Sequence, residues 1–68
     1  MRISYNKLWK LIIDKDMKKG DLRKVAGIGT NTLAKLSKNQ SVSMDVLMKI
    51  CQSLDCGLSD ICEFVSEE

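Results

Sequence analysis

Residues 22–36 read LRKVAGIGTNTLAKL and contain two short helical patterns separated by a glycine turn. The first pattern stops at Gly27, a residue type that readily adopts the left-handed conformation that ends a helix. The second pattern starts after Gly29. Apolar residues occupy the positions where two crossed helices would bury a shared wedge: Leu22, Ala26, Ile28, Leu33 and Leu36. The stretch therefore predicts a helix-turn-helix.

The outer face of the second of these helices is polar. Its projecting residues are all of hydrogen-bonding types and none is acidic: Thr30, Asn31, Thr32 and Lys35. Such side chains suit the donor and acceptor pattern of base edges in a major groove. An ordinary helix hairpin with a solvated polar face would show the same pattern, so both interpretations stay open on spacing alone.

Helical periodicity continues on both sides of this motif. Ser4 can cap a first helix whose apolar stripe comprises Tyr5, Leu8, Trp9, Ile12 and Ile13. Ser43 can cap a fourth helix, ended by Cys56 and Gly57, whose inward residues are Met44, Leu47, Ile50, Cys51 and Leu54. A last helix, capped by Ser59 or Asp60, would bury Ile61, Cys62, Phe64 and Val65. Val25 belongs to the apolar stripe of the second helix, and no segment shows a strand pattern. We therefore predict an all-α bundle of five helices that forms one domain over residues 1–68.

Composition narrows the class of protein. The chain has 68 residues, 44% of them hydrophobic, with no proline and no histidine. No apolar run approaches the roughly 20 residues that span a bilayer, and residues 1–5 do not resemble an export signal. We therefore expect a cytoplasmic protein that is not an enzyme. The three cysteines, Cys51, Cys56 and Cys62, lack the spacing of a metal site, so reduced thiols and no metal or cofactor are expected.

Charge is divided unevenly along the chain. Residues 1–42 contain ten of the eleven Lys and Arg residues and three of the nine Asp and Glu residues, a net charge of +7. Residues 43–68 carry a net charge of −5. A basic half joined to an acidic half suggests a polyanionic partner for the first half, although two solvated faces would give the same count.

Over nearly its whole length, the sequence resembles the small Cro/CI-type helix-turn-helix regulators of bacteria and phages. That resemblance implies a five-helix, lambda-repressor-like domain with helices 2 and 3 as the DNA-binding pair. It assigns base contacts to Thr30, Asn31, Ala34 and Lys35, to which the outer-face pattern adds Thr32. It also assigns phosphate contacts to Lys19 before the second helix and to Lys38, Asn39 and Gln40 after the third. Lys18 joins this set, because a helix start that carries two lysines suits a bound phosphate.

Three positions depart from the usual family pattern. Arg23 stands where many members have a small alanine, and its stem can lie over the helix crossing. Gly29 replaces a capping serine, a role that Thr30 could take. The second helix begins with Lys18 and Lys19, whose charges oppose the helix dipole in the free protein.

Two classes of function follow. The first is a sequence-specific DNA-binding transcriptional regulator, expected to be a repressor that binds inverted-repeat DNA as a homodimer. The expected dimer surface is the acidic half, with Phe64 and Val65 as apolar candidates. The second is a small helical protein–protein module, such as an antitoxin or adaptor, that uses its basic face for an acidic partner. Neither class requires a membrane or a small-molecule ligand.

Overall fold

A computed structural model describes residues 1–66 of the chain. It contains four α-helices, a single 3-10 turn and two short strands. The helices are α1 (Asn6–Asp14), α2 (Lys19–Ala26), α3 (Thr30–Ser37) and α4 (Met44–Leu54). The strands are β1 (Arg2–Ser4) and β2 (Glu63–Val65), and the 3-10 turn spans Leu58–Asp60. None of the helices in this part of the chain is long and apolar enough to cross a bilayer.

The C-terminal region corrects the predicted fold. The helix-dominated helix-turn-helix architecture is present, but the fifth helix is wrong, because residues 58–60 make only one 3-10 turn before β2 begins. β1 and β2 form an antiparallel sheet in which Ile3 is paired with Phe64. The partner strand lies about sixty residues away in sequence, so long-range pairing decides the conformation of a segment whose local pattern fits either state.

The core lies between the four helices and includes eleven buried hydrophobic residues: Tyr5, Leu8, Ile12, Leu22, Ala26, Ile28, Leu36, Leu47, Ile50, Leu54 and Ile61. Four residues predicted to point inward, or to pack in the last helix, are instead exposed: Ile13, Val25, Met44 and Phe64. The helices have only eight to eleven residues, and each buries a narrow stripe. Apolar residues at the edge of such a stripe remain in contact with solvent.

Each of the four helices is followed, within two residues, by a residue with left-handed backbone conformation. These residues are Asp16 (φ 59°), Gly27 (φ 67°), Asn39 (φ 56°) and Asp55 (φ 51°). At each end a backbone N–H just beyond the helix reaches back to a carbonyl of its last turn, as Ile28 does to Arg23 at 3.1 Å. The left-handed turn at Gly27 is confirmed. α4 ends at Leu54, and its left-handed residue is Asp55 rather than the predicted stop at Cys56 and Gly57.

The helix starts differ in how they are capped. Ser43 caps α4 as predicted, with its hydroxyl oxygen 3.3 Å from the Val46 nitrogen. α1 begins one residue later than expected, and Ser4 accepts only a long hydrogen bond from Asn6 N–H at 3.4 Å. At α3 neither Gly29 nor Thr30 supplies a capping side chain.

Candidate nucleic-acid interface

The predicted helix-turn-helix is formed by α2 and α3. Leu22 and Ala26 of α2, Ile28 of the turn and Leu36 of α3 are buried together in the core. Leu33, expected to be part of the wedge, is half-buried. Gly27 turns the chain sharply between the two helices, with its backbone in the left-handed region that glycine adopts without strain. The local sequence therefore accounts for this motif.

The outer face of α3 carries the predicted base-contacting residues. Thr30, Asn31, Ala34 and Lys35 are exposed, whereas Thr32 is half-buried. Residues four positions apart lie one above the other on a helix, so Asn31 stands beside Lys35 on the same side. The sequence contains no Asp or Glu between Asp21 and Asp45. An acceptor-rich, negatively charged ligand could therefore approach this face without meeting a carboxylate of this segment.

The predicted phosphate-contacting residues lie at the start of α2 and just after α3. Lys18, Lys19, Lys38 and Gln40 are exposed, and Asn39 is half-buried. The fold brings the two groups together, because Lys19 Nζ lies 3.3 Å from the hydroxyl oxygen of Ser37, the last residue of α3. No side chain caps the first turn of α2 from position 18. Asp21 in that turn reaches back instead, and its carboxylate accepts the Lys18 N–H at 3.0 Å. Its negative charge lies at the positive end of the helix dipole, where it offsets the charges of Lys18 and Lys19.

Tyr5 holds the segment that follows α3, a role that periodicity did not indicate. Its backbone N–H donates to Asn39 Oδ1 at 3.1 Å, and its hydroxyl donates to the Gln40 carbonyl oxygen at 2.8 Å. Tyr5 is fully buried just before α1. Burial raises the pKa of its phenol above the ordinary value, with a further rise from nearby Cys62 and an opposing effect of the Val42 backbone. Asn39 therefore has a structural partner in Tyr5, and its contact with phosphate stays a prediction.

Lys19 is held by a ring as well as by Ser37. Its Nζ lies 4.3 Å from the centroid of the Trp9 ring. Trp9 is half-buried and packs against the core, in keeping with its predicted place in the stripe of α1. The sequence predicts Trp9 as a core residue and Lys19 as a charged contact for phosphate. Their contact could not be predicted, because the two residues are ten positions apart and lie on different helices.

The acidic half carries the three thiols. Cys51, Cys56 and Cys62 are free and half-buried. Burial raises the pKa of Cys56 and Cys62, and the neighbouring Cys51 adds to both rises. Within residues 1–66 no group of three or more His, Cys, Asp or Glu side chains is arranged to hold a metal ion.

A comparison with protein families agrees with the helix-turn-helix formed by α2 and α3. Residues 7–67 match the family model described as the Cro/C1-type HTH DNA-binding domain. The chain belongs to this family of DNA-binding helix-turn-helix proteins. A comparison with curated proteins gave no significant match.

A solved structure supports a more particular relationship. The chain is similar to the crystal structure of the transcriptional regulator VanUg, form II, with 56% sequence identity and a TM-score of 0.94. The similarity covers 97% of this chain and 88% of the VanUg chain. The resemblance to the Cro/CI-type regulators, which extends over nearly the whole sequence, is therefore confirmed, and the chain is a VanU-like member of this family.

Proposed function

We propose that this protein is a sequence-specific transcriptional regulator that inserts α3 into the major groove of double-stranded DNA. The exposed row on α3, opposite the buried Leu36, carries this proposal. Thr30, Asn31, Thr32, Ala34 and Lys35 are its proposed base-contacting residues. The half-buried Thr32 would use the part of its side chain that remains accessible.

Phosphate contacts on either side of α3 would set its position in the groove. The residues proposed for this role are Lys18, Lys19, Lys38, Asn39 and Gln40. Because Asn39 Oδ1 is bonded to Tyr5, its amide NH₂ group is the part that would donate to a phosphate. Contacts of this kind fix orientation and carry no sequence information themselves.

We propose that two copies bind an inverted repeat, since one short helix reads too few base pairs for useful specificity. The acidic half offers the contact surface. Phe64 is 74% exposed and Leu58 43% exposed, and both line a groove of about 460 Å³ together with Cys62. Repression by blocking polymerase is the simplest outcome for a bare domain that occupies DNA. These exposed apolar residues would also suit the alternative of a protein–protein module.

The salt dependence of binding to a duplex of any sequence tests whether the protein binds DNA at all. If five to seven of the ten basic side chains in residues 1–42 neutralise phosphates in each copy, the logarithm of affinity should fall against the logarithm of salt concentration with a slope of about −4 to −6. A slope near zero would leave the protein–protein module as the better interpretation. If binding is salt-dependent, footprinting on DNA upstream of the protein's own gene would identify the operator and show whether two half-sites are occupied.

Two pairs of variants separate reading from positioning. Asn31→Ala and Lys35→Ala should weaken operator binding by about 1–3 kcal/mol and leave a scrambled duplex nearly unaffected, because they remove base contacts. The matched controls Lys18→Ala and Lys38→Ala should weaken both duplexes alike and reduce the salt slope by about one. If the first pair leaves the ratio of operator to scrambled affinity unchanged, α3 does not read the sequence.

A further inference from the structure

Three helices each contribute one side chain to a contact at the edge of the proposed interface. Trp9 comes from α1, Lys19 from α2 and Ser37 from α3. The ammonium group of Lys19 lies over the Trp9 ring, 4.3 Å from its centroid, and 3.3 Å from the Ser37 hydroxyl oxygen. The negative face of an indole ring attracts a cation, and the hydroxyl oxygen accepts one of its three N–H donors.

This contact distinguishes Lys19 from the other cations of the basic half. Within residues 1–66, only Lys7 and Lys19 among the Lys and Arg side chains have a hydrogen-bond, ion-pair or ring partner. Lys7 is bound to the acidic half, with its Nζ 3.2 Å from the Ser59 carbonyl oxygen and 3.7 Å from Glu63 Oε2. Among the three cations proposed to contact phosphate, Lys18, Lys19 and Lys38, only Lys19 therefore has partners within residues 1–66 that hold its ammonium group.

We propose that Trp9 is a positioning residue for DNA binding, which holds the Lys19 ammonium group ready for a phosphate. A free lysine side chain loses rotamer freedom when it binds, and that loss weakens the contact. Lys19 gives up this freedom when the protein folds, because Trp9 is itself packed against the core. An ammonium group over a ring keeps donors directed away from it for an anion. This inference rests on the proposed function.

A double-mutant cycle on a 30-base-pair duplex of arbitrary sequence tests the proposal. Trp9→Leu should weaken binding by about two- to fivefold, because the Lys19 side chain would then lose its rotamer freedom only on binding. Its salt slope should stay that of the wild type, since no charge is lost. Lys19→Met should weaken binding and reduce the slope by about 0.9. The double variant should bind like Lys19→Met, because Trp9 acts through Lys19.

Lys38→Met is the matched control, since Lys38 is an exposed cation of the same set without a ring partner. Combined with Trp9→Leu, its effect should multiply rather than disappear. If the effects of Trp9→Leu and Lys19→Met also multiply, Trp9 does not act through Lys19 and the proposal is overturned. Each variant is compared with the wild type by circular dichroism and thermal unfolding.

Two milder variants keep the test decisive if Trp9→Leu does not fold. Trp9→Phe retains a ring face and should recover most of the wild-type affinity. Ser37→Ala, at an exposed position, should weaken binding less than twofold, and only while Lys19 is present. If Trp9→Phe folds and binds as weakly as Lys19→Met, the ring does not position the lysine and the proposal fails.

A measurement without DNA separates this proposal from the proposed function. Trp9 is the only tryptophan of the chain, so its fluorescence reports the contact directly. Lys19→Met should change its emission and Lys38→Met should not, and equal spectra would overturn the contact. A wild type that binds duplex without salt dependence would overturn the proposed function and this inference together. Salt-dependent binding with multiplicative effects would overturn the inference alone.

Discussion

The two ends of α3 stand close to residues with the same backbone conformation, but they are held by different means. Before α3, Gly27 has φ 67° and is a glycine, so its conformation follows from the residue type. After α3, Asn39 has φ 56° and is held by Tyr5, a residue 34 positions earlier in the chain. One flank depends on local backbone freedom, and the other depends on a long-range contact.

The difference matters because α3 has only eight residues and lacks a capping side chain. A helix this short is not stable alone in water, so its surroundings must set its position. The Gly27 flank fixes where α3 begins relative to α2. The Tyr5 flank ties its far end to the start of α1, next to the proposed phosphate contacts. We expect the second flank to contribute more to stability, and three substitutions test this.

Asn39→Ala should have the largest effect. It removes the acceptor of the Tyr5 N–H, at a cost of about 1 kcal/mol, and it places alanine in the left-handed region, at a cost of about 1–2 kcal/mol. We expect the free energy of unfolding in urea to fall by about 2–3 kcal/mol. Asn39→Gly is the matched control, because it keeps the backbone conformation and should lose only the hydrogen-bond share. Equal effects of both variants would show that the strain contributes nothing.

Gly27→Ala should have an intermediate effect. Apart from the adjoining residues, no atom lies within 4 Å of the place that an added methyl group would take. The cost is therefore backbone strain alone, about 1–2 kcal/mol in chemical denaturation. Gly20→Ala is the control, since that position is equally open but lies inside α2 with ordinary helical backbone. It should raise stability by about 0.5–1 kcal/mol. A Gly27→Ala protein as stable as Gly20→Ala would contradict the role assigned to this turn.

Tyr5→Phe should have the smallest effect at neutral pH, about 1 kcal/mol, because it removes only the hydroxyl bond to Gln40. Its effect should depend on pH. Since the pKa of the Tyr5 phenol is raised on folding, its share of stability is complete below its ordinary pKa near 10 and is lost as pH rises through the folded-state value. The free energies of unfolding of the wild type and of Tyr5→Phe, plotted against pH, should therefore converge in alkali. A difference in the free energy of unfolding that stays constant above pH ~10 would contradict the buried phenol.

The parts predicted from sequence are those that local chemistry decides. The Gly27 turn, the Ser43 cap and the buried positions Leu22, Ala26 and Leu36 follow from residue type and from a period of 3.6 residues. The exposed row from Thr30 to Lys35 follows from the same period, with Thr32 as the residue that turned out to be half-buried. The contacts these residues make with DNA remain proposals.

The parts that were missed depend on partners distant in sequence. Phe64 and Val65 fit a helix pattern until their pairing with β1 is known. Asn39 was predicted to contact phosphate, and only the fold shows that its Oδ1 is bonded to Tyr5. The contact of Trp9 with Lys19 joins α1 to α2, and the apolar periodicity of neither helix indicates it. Asparagine and aspartate at three of the four helix ends also gave a weaker signal than glycine does.

The small sheet also has a consequence for the order in which the chain folds. Its pairing of Arg2 with Val65 closes a loop of more than sixty residues around all four helices. Closing so long a loop costs roughly 3–4 kcal/mol of chain entropy by a logarithmic estimate, whereas α2 and α3 meet across only a few residues. We therefore expect the helices to assemble before the strands pair. Tyr5 follows β1 directly, so this late step would also fix the position of the residue that secures the far end of α3.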